Sequence, residues 1–378
     1  MGKRINILTC PMTDQNVRSF LAPLLANRRL FLDTGIQFHL YQQPTPGLID
    51  CDVLMINSAF WKAPWVDRRT EALDLVAHLV ERVSETLFFD RSSTSSTVMS
   101  EILPLVKRYY KTNLLRDRAL YQKALYGQRQ FTDYYHNRNG VVDATPVSSM
   151  PVEDARDLAK LRPSWNTALA NYSLLGPRIS ALYKHVPLAQ LMRPTKMFTR
   201  PSVHRAIEVS CRMGLTYKYE TVAYQRLRLA DALHRYRRTE RVSKINYFKE
   251  LRDSKIVTSP FGYSEVNYKD FETFITGGLL LKPDMSHLET YPNFYQADVT
   301  YLAHDWDLTD IEEKVDRVLS DYSGHLHIAE NGQNLYREYT VGRSAHERFV
   351  SYFLDLLAEA AGEDDTAPAS VQGDNATV

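Results

Sequence analysis

"SPFGYSEVNYKDFETFITGG", residues 259–278, sets a Pro, a Gly, two glutamates and a closing Gly-Gly pair between two short apolar runs, "KIVT" and "LLL". Short apolar runs bounded by Pro and Gly read as buried strands. Between them, Val266, Tyr268, Phe271, Phe274 and Ile275 recur at helical spacing, which predicts a helix over 265–276. Strand, loop, helix and strand in that order is the unit of a parallel sheet covered by helices. On the predicted helix Glu265, Lys269, Glu272 and Thr276 form a polar stripe, with the two glutamates one above the other. A carboxylate so placed can accept charge-assisted hydrogen bonds from the hydroxyls of a ribose or hexose. The alternative is a solvated face, Glu265 being favoured by the helix dipole and paired with Lys269 at i+4.

Working outward, the same alternation recurs on both sides. Downstream, "GLLLK" and "VTYLA" read as strands and "LTDIEEKVDRVL" as a helix; upstream, "AIEVSC" reads as a strand and 220–238 as an amphipathic helix. In the N-terminal half "INILTC", "IQFHLYQ", "DVLMINSAF" and "TLFFD" are strand candidates separated by helical patterns. After "TLFFD" the run "RSSTSST" reads as a loop at a strand's carboxyl end, whereas residues 109–183 show mixed periodicity and yield no element assignment. Three prolines in "KHVPLAQLMRPTKMFTRP" mark a boundary, giving an N-terminal domain over 1–190 and a second over 191–343. A helix over 344–358 follows, and the small, acidic residues 359–378 read as a disordered tail. The expected fold class is α/β, with two Rossmann-like domains facing across a cleft.

At 378 residues the chain has room for about two domains. Its 46 Lys and Arg nearly balance 45 Asp and Glu, so no global field favours nucleic acid, and none is expected as a partner. Cys10, Cys51 and Cys211 are widely spaced, without metal-ligand or disulfide spacing, and read as free thiols in a reducing compartment. "MGKRINILTC" is too short for a signal peptide, and Asn6 breaks the myristoylation pattern. No apolar stretch reaches the length of a membrane span. The expected location is cytoplasmic.

In open parallel sheets ligands sit outside the carboxyl ends of the strands. Those ends here carry Arg212 and Gly214 in "RMGLTYK", Ser259, Gly262 and Glu265 in "SPFGYSE", and Lys282, Asp284 and His287 in "KPDMSH". Cations, hydroxyls and carboxylates converging in this way suit a ligand with both phosphates and sugar hydroxyls. Candidate catalytic bases after strands are Asp14 and Asp90 in the first domain and His287 in the second. Each has a simpler reading, the aspartates as helix caps and the histidine as a hydrogen-bonded loop residue.

"NYFKELRDSKIVTSPFGYSEVNYKDFETFITGGLLLKPDMSHLETYPNFY" resembles the donor-binding segment of GT-B glycosyltransferases, in particular the bacterial family-1-type or CgeB-like proteins. The resemblance is strongest over 246–310 and extends back to Ile207. It implies a nucleotide-sugar donor held mainly by the C-terminal domain. It also implies a glycan, lipid-linked or protein acceptor on the N-terminal side, and a last helix crossing back to the first domain. Glu272, followed by Thr273, Gly277 and Gly278, matches the ribose-binding glutamate of "E-A-x-A-x-G". Many relatives carry another glutamate eight positions earlier; here that position is Ser264, and Glu265 is one residue off. Gly262 fits the loop that lets backbone approach the ligand, and Arg212 and Lys282 are candidates for the diphosphate. The resemblance implies no metal, because helix dipoles and basic side chains can stabilise the leaving group.

Three other signals compete. Asp305-Trp306-Asp307 has the form of a metal-binding DxD, with Asp307 alternatively the N-cap of the following helix. The basic run "HRYRRTERVSK" reads as a helix end and solvated loop, with contact to an anionic membrane at the inner face as its alternative. Since no G-x-G-x-x-G follows a strand, a dinucleotide oxidoreductase is disfavoured. A catalytically silent scaffold binding a glycan or partner protein stands beside the transferase, because of the glutamate missing at position 264.

Overall fold

The computed structural model describes residues 2–61, 68–238 and 240–362. Strands β1 (Lys3–Leu8), β2 (Ile36–Tyr41), β3 (Val53–Asn57), β4 (Thr86–Asp90), β5 (Arg108–Lys111), β6 (Leu114–Leu115) and β7 (Leu161–Pro163) belong to the first half. All but β6 form a parallel sheet of order β2-β1-β3-β4-β5-β7. The second half contributes β8 (Ile207–Arg212), β9 (Arg237–Arg238), β10 (Ser254–Thr258), β11 (Leu279–Pro283), β12 (Leu288–Glu289) and β13 (Leu302–His304). Its parallel sheet has the order β13-β11-β10-β8-β9. Strands β3, β4 and β11 are buried along their whole length, which is why they read as unbroken apolar runs rather than alternating ones. Two parallel sheets with covering helices give an α/β architecture with two Rossmann-like halves.

The helices are α1 (Gln15–Ala26), α2 (Arg28–Asp33), α3 (Arg69–Arg82), α4 (Gln130–Asn139), α5 (Gly176–Ala181), α6 (Glu220–Ala232), α7 (Lys244–Asp253), α8 (Tyr268–Thr276), α9 (Ile311–Ser320), α10 (Tyr322–Thr340) and α11 (Gly342–Ala361). Several depart from the sequence reading for identifiable reasons. Helix α8 starts at Tyr268 rather than Glu265, because Asn267 and Asp270 form a capping box there. Helix α6 ends at Ala232 rather than continuing to Arg238, since Arg237 and Arg238 pair with Cys211 and Arg212 at the sheet edge. Asp307 is not the N-cap of α9: Leu308 adopts φ 63°, and Asp307 accepts from the Thr309 N–H and hydroxyl instead. Helix α11 runs through Glu359, and the remainder of the tail from residue 363 lies outside the described residues.

One apolar core runs through both halves. Trp165 stacks on Phe20 at 4.8 Å and donates its indole N–H to the Phe20 carbonyl. Phe349 and Phe353 of α11 pack edge-on against Phe31 and Trp165 of the first half. Tyr336 of α10 stacks with Phe271 of α8 and donates to the Ala168 carbonyl. The short antiparallel pair β6 and β12 adds a direct backbone link between the halves. Among the described residues no helix is long and apolar enough to cross a membrane.

Two features of the second half carry testable consequences. Helix α10 approaches its neighbours so closely at Gly332 that a Cβ would meet the Thr300 carbonyl oxygen at 2.4 Å. Gly332→Ala should therefore lower the unfolding free energy by about 1–3 kcal/mol in urea titration, although Ala is the better helix former. Beneath α8, Lys282 is fully buried with its ammonium 3.2 Å from the Asp270 carboxylate. Lys282→Met should cost about 3–5 kcal/mol by leaving Asp270 unpaired, and adding Asp270→Asn should recover part of that loss. Unchanged stability in Lys282→Met would mean that the ammonium is held for a ligand, not for the fold.

Candidate active site in the cleft between the sheets

The carboxyl ends of β4 and β5 face the loop that follows β10. Between them lies a cleft of about 310 Å³ whose walls include Arg91, Thr112 and Asn113 from the first half and Ser264, Asn267 and Tyr268 from the second. Behind Arg91 and Ser92 of that wall lies Asp90, the last residue of β4. This buried carboxylate accepts from Lys111 Nζ (2.9 Å), the Tyr109 hydroxyl (2.9 Å) and the Ser92 N–H (2.8 Å). Burial pushes the Asp90 carboxyl up, but Lys111 and Ser92 overcome it and hold the group below its ordinary value. The pair fixes the start of "RSSTSST" and so aims the next residue, Arg91.

The Arg91 guanidinium lies over the Phe20 ring, 5.1 Å from its centroid, and donates to the Asn16 carbonyl at 2.7 Å. Burial lowers its pKa, yet an arginine remains cationic. Among the described residues it is the one charged side chain on the cleft wall, and no carboxylate of theirs lines the space. Across from it the first turn of α8 presents Asn267 and Tyr268, the positive end of that helix's dipole. Thr112 and Asn113 are buried in the wall, and Thr112 Oγ1 and Asn113 Oδ1 have no protein partner. Buried polar atoms left unpaired cost about 1–3 kcal/mol each. Asn113 Nδ2 reaches across to Ser264 Oγ at 3.2 Å, and Tyr268 bonds to Asn16. The site can therefore receive an anion between Arg91 and α8 while offering hydroxyl and amide groups to a polyol.

The residues singled out from sequence surround this cleft rather than line it. Asp14 caps α1, taking the Asn16 and Val17 N–H groups at 2.7 and 3.3 Å. His287 is enclosed by Phe261 and Trp306; burial drives its pKa to about 4, leaving the ring neutral at physiological pH. Arg212 is tied to Glu250 at 2.7 Å, and the Gly214 carbonyl accepts from Arg226. Ser259 donates to Asp270, which also binds Lys282, so these three form one buried network. The Gly262 N–H is used locally by Ser264, and Asp284 takes the Ser286 N–H at 3.2 Å. Glu272 lies between α7 and α8 and accepts from Tyr247 at 2.9 Å. Glu265 and Glu272 do not share a stripe, since Glu265 precedes the helix. Among the described residues no group of three or more His, Cys, Asp or Glu, Asp305 and Asp307 included, could hold a metal ion. Sequence reasoning missed Arg91, Thr112 and Asn113, although the polar run after "TLFFD" marked the first of them.

Glu265 bridges the halves. It is fully buried, accepts from Ser95 of the first half, and leaves its second oxygen unpaired near Arg129. Burial raises its pKa, with Ser95 and Arg129 opposing. The native state thus holds a proton that the unfolded chain releases near pH 4.3. Stability falls as pH rises from that value through the raised one, and stays lower above it. Glu265→Gln should denature later than the wild type at neutral pH, with no gain near pH 4, in a series of denaturant titrations.

No protein-family model and no curated protein matches the chain. Solved structures with a similar course include Anabaena HepE in complex with UDP-glucose, at 10% identity and TM-score 0.43 over 93% of this chain and 100% of that one. A glycosyltransferase from Rickettsia africae is 10% identical, with TM-score 0.40 over 96% and 100% of the two chains. The α,α-trehalose 6-phosphate synthase of Burkholderia multivorans is also 10% identical, with TM-score 0.40 over 97% and 99%.

Proposed function

We propose that the chain is a nucleotide-sugar-dependent glycosyltransferase of the family-1-type or CgeB-like kind, moving a sugar to a hydroxyl of a glycan, lipid-linked or protein acceptor. The observation that carries this reading is the acid-free cleft at the facing carboxyl ends of two parallel sheets, with Arg91 opposite the N-terminal turn of α8. In this reading Arg91 and the helix dipole stabilise the leaving diphosphate, with no metal required. Thr112, Asn113 and Asn267 orient sugar hydroxyls. Asp90, saturated by Lys111, Tyr109 and Ser92, positions Arg91 and is a poor proton acceptor. The Glu272 assignment to a donor hydroxyl requires that Tyr247 release it on binding.

The silent scaffold has an observation of its own in its favour. Arg212 and Lys282, the cations that the sequence offers for a diphosphate, are both committed to internal ion pairs. Transfer of sugar, or slow hydrolysis of a donor, excludes it.

Thermal denaturation with UDP, GDP, ADP, CMP and dTDP separates the two readings. A ligand at about 100 times its Kd stabilises the native state by about 2.7 kcal/mol, a shift of several degrees. One of the five should raise the Tm of the wild type and leave that of Arg91→Ala unmoved. A parallel measurement on Glu272→Ala decides whether that glutamate belongs to the donor site. Absence of any shift in the wild type favours the scaffold.

A further inference from the structure

Residues 158–207 contain no Asp or Glu, in a chain that carries 45 of them among 378 residues. Much of this acid-free span is laid over α1 through α5 and the short helical turns that follow it, so its outer side faces solvent. That side is unusual in two independent ways.

It is apolar. Five of the fifteen large apolar side chains exposed among the described residues fall within 175–197, including Leu182 (52%), Leu188 (54%) and Met197 (82%). Exposed apolar residues this dense along one segment are what a contact surface offers.

It is also cationic. Lys184, Arg193 and Lys196 stand among those residues, and Arg28 of α2 lies close enough to Tyr183 to act on its hydroxyl. Arg29, Arg193, Lys196 and Arg343 surround a recess of about 400 Å³ in which, among the described residues, Asp33 is the one acidic side chain. Arg343 is held by Glu347 one turn along α11, whereas Arg29, Arg193 and Lys196 enter no ion pair among the described residues. The recess lies beside the carboxyl end of α1, roughly 15 Å along that helix from Asn16 in the cleft wall.

We infer that this face docks on a membrane surface bearing anionic phospholipid headgroups. Cations interleaved with exposed Leu, Val and Met match such a surface in both respects: the charges meet lipid phosphates and the apolar side chains enter the boundary with the acyl chains. A site for a free phosphate would need the recess and not the apolar rim. The basic run at 235–244 fits less well, since Arg235 is paired with Asp316 and Arg237 and Arg238 form an edge strand. The inference is independent of the proposed sugar transfer.

Flotation of the full chain with vesicles tests it. The wild type should float with vesicles containing phosphatidylglycerol and not with phosphatidylcholine alone, and raised salt should weaken the association. Arg29→Glu, Lys184→Glu and Lys196→Glu combined change exposed positions only and should lower the partition by on the order of 100-fold at unchanged Tm. Leu182→Ser with Leu188→Ser should lower it at every salt concentration, and Arg237→Glu with Arg238→Glu should leave it as it was. Failure of the wild type to float at low salt overturns the proposal, as does undiminished binding by the triple variant. A Tm rise with inorganic phosphate but no flotation would reassign the recess to a soluble anion, and loss of flotation in the Arg237 and Arg238 variant would move the surface to the sheet edge.

Discussion

At the carboxyl end of each sheet a buried lysine is paired with a buried aspartate, and the cleft stands on these two pairs. In the first half Lys111 of β5 holds Asp90 of β4; in the second Lys282 of β11 holds Asp270 of α8. Both lysines are fully buried, and neither pair is exchangeable for a surface contact. Taking four charges out of water costs several kcal/mol per ion, and the attraction returns that only when the remaining oxygens are also bonded. They are: Asp90 is completed by Tyr109 and Ser92, and Asp270 by Ser259, Tyr295 and the Asn267 N–H. What these pairs secure is position more than stability. Asp90 fixes the direction in which Arg91 leaves the sheet, and Asp270 fixes where α8 begins and therefore where its dipole points.

The same logic separates what was legible in the sequence from what was not. Parallel sheets announce themselves because their strands are buried on both faces, and "VLMIN", "TLFFD" and "LLL" allow no other economical reading. The loops at strand ends could then be located by counting. Roles within them could not, because a charged residue after a strand is equally a ligand group or a buried partner, and the choice is made by residues far away in the chain. Lys282 illustrates this, its partner being on a helix and its ring neighbours at Phe261 and Tyr295. Glu265 is the sharper case. Its spacing from Glu272 suits a helical stripe, but the capping box at Asn267 starts the helix after it, and its partner is Ser95, 170 residues away.

Helix α10 was illegible for a different reason. Its buried residues are Tyr322, Ile328, Ala329, Gly332, Gln333, Tyr336 and Thr340, spaced as a helix requires but more than half of them small or polar. Close approach at Gly332 and the bonds from Gln333 to the Thr199 and Phe274 carbonyls do there what bulky apolar side chains do elsewhere. A hydrophobicity pattern cannot register packing achieved by absence of a side chain. Thr112 and Asn113 were missed because β5 is four residues long, tyrosine-rich and followed at once by polar wall residues, so neither period is visible around it.

The continuity of the core also constrains how a ligand would enter. Trp165, Tyr336 and α11 knit the halves together behind the cleft, and β6 with β12 closes the backbone across them. Opening by a rigid hinge would have to break that core, at a cost far above the few kcal/mol available to a binding event. The contacts across the mouth are of another order. Asn113 with Ser264 and Asn16 with Tyr268 are single side-chain hydrogen bonds, each worth about 0.5–1.5 kcal/mol. Releasing these two bonds moves single side chains and leaves the rest of 263–268 in place, because Glu265 is bonded to Ser95 and the Tyr263 carbonyl to Arg129. A ligand that replaced those two bonds with its own phosphate and hydroxyl contacts would pay little for the movement, and the rigid floor beneath it would hold Arg91 and α8 at the same separation before and after.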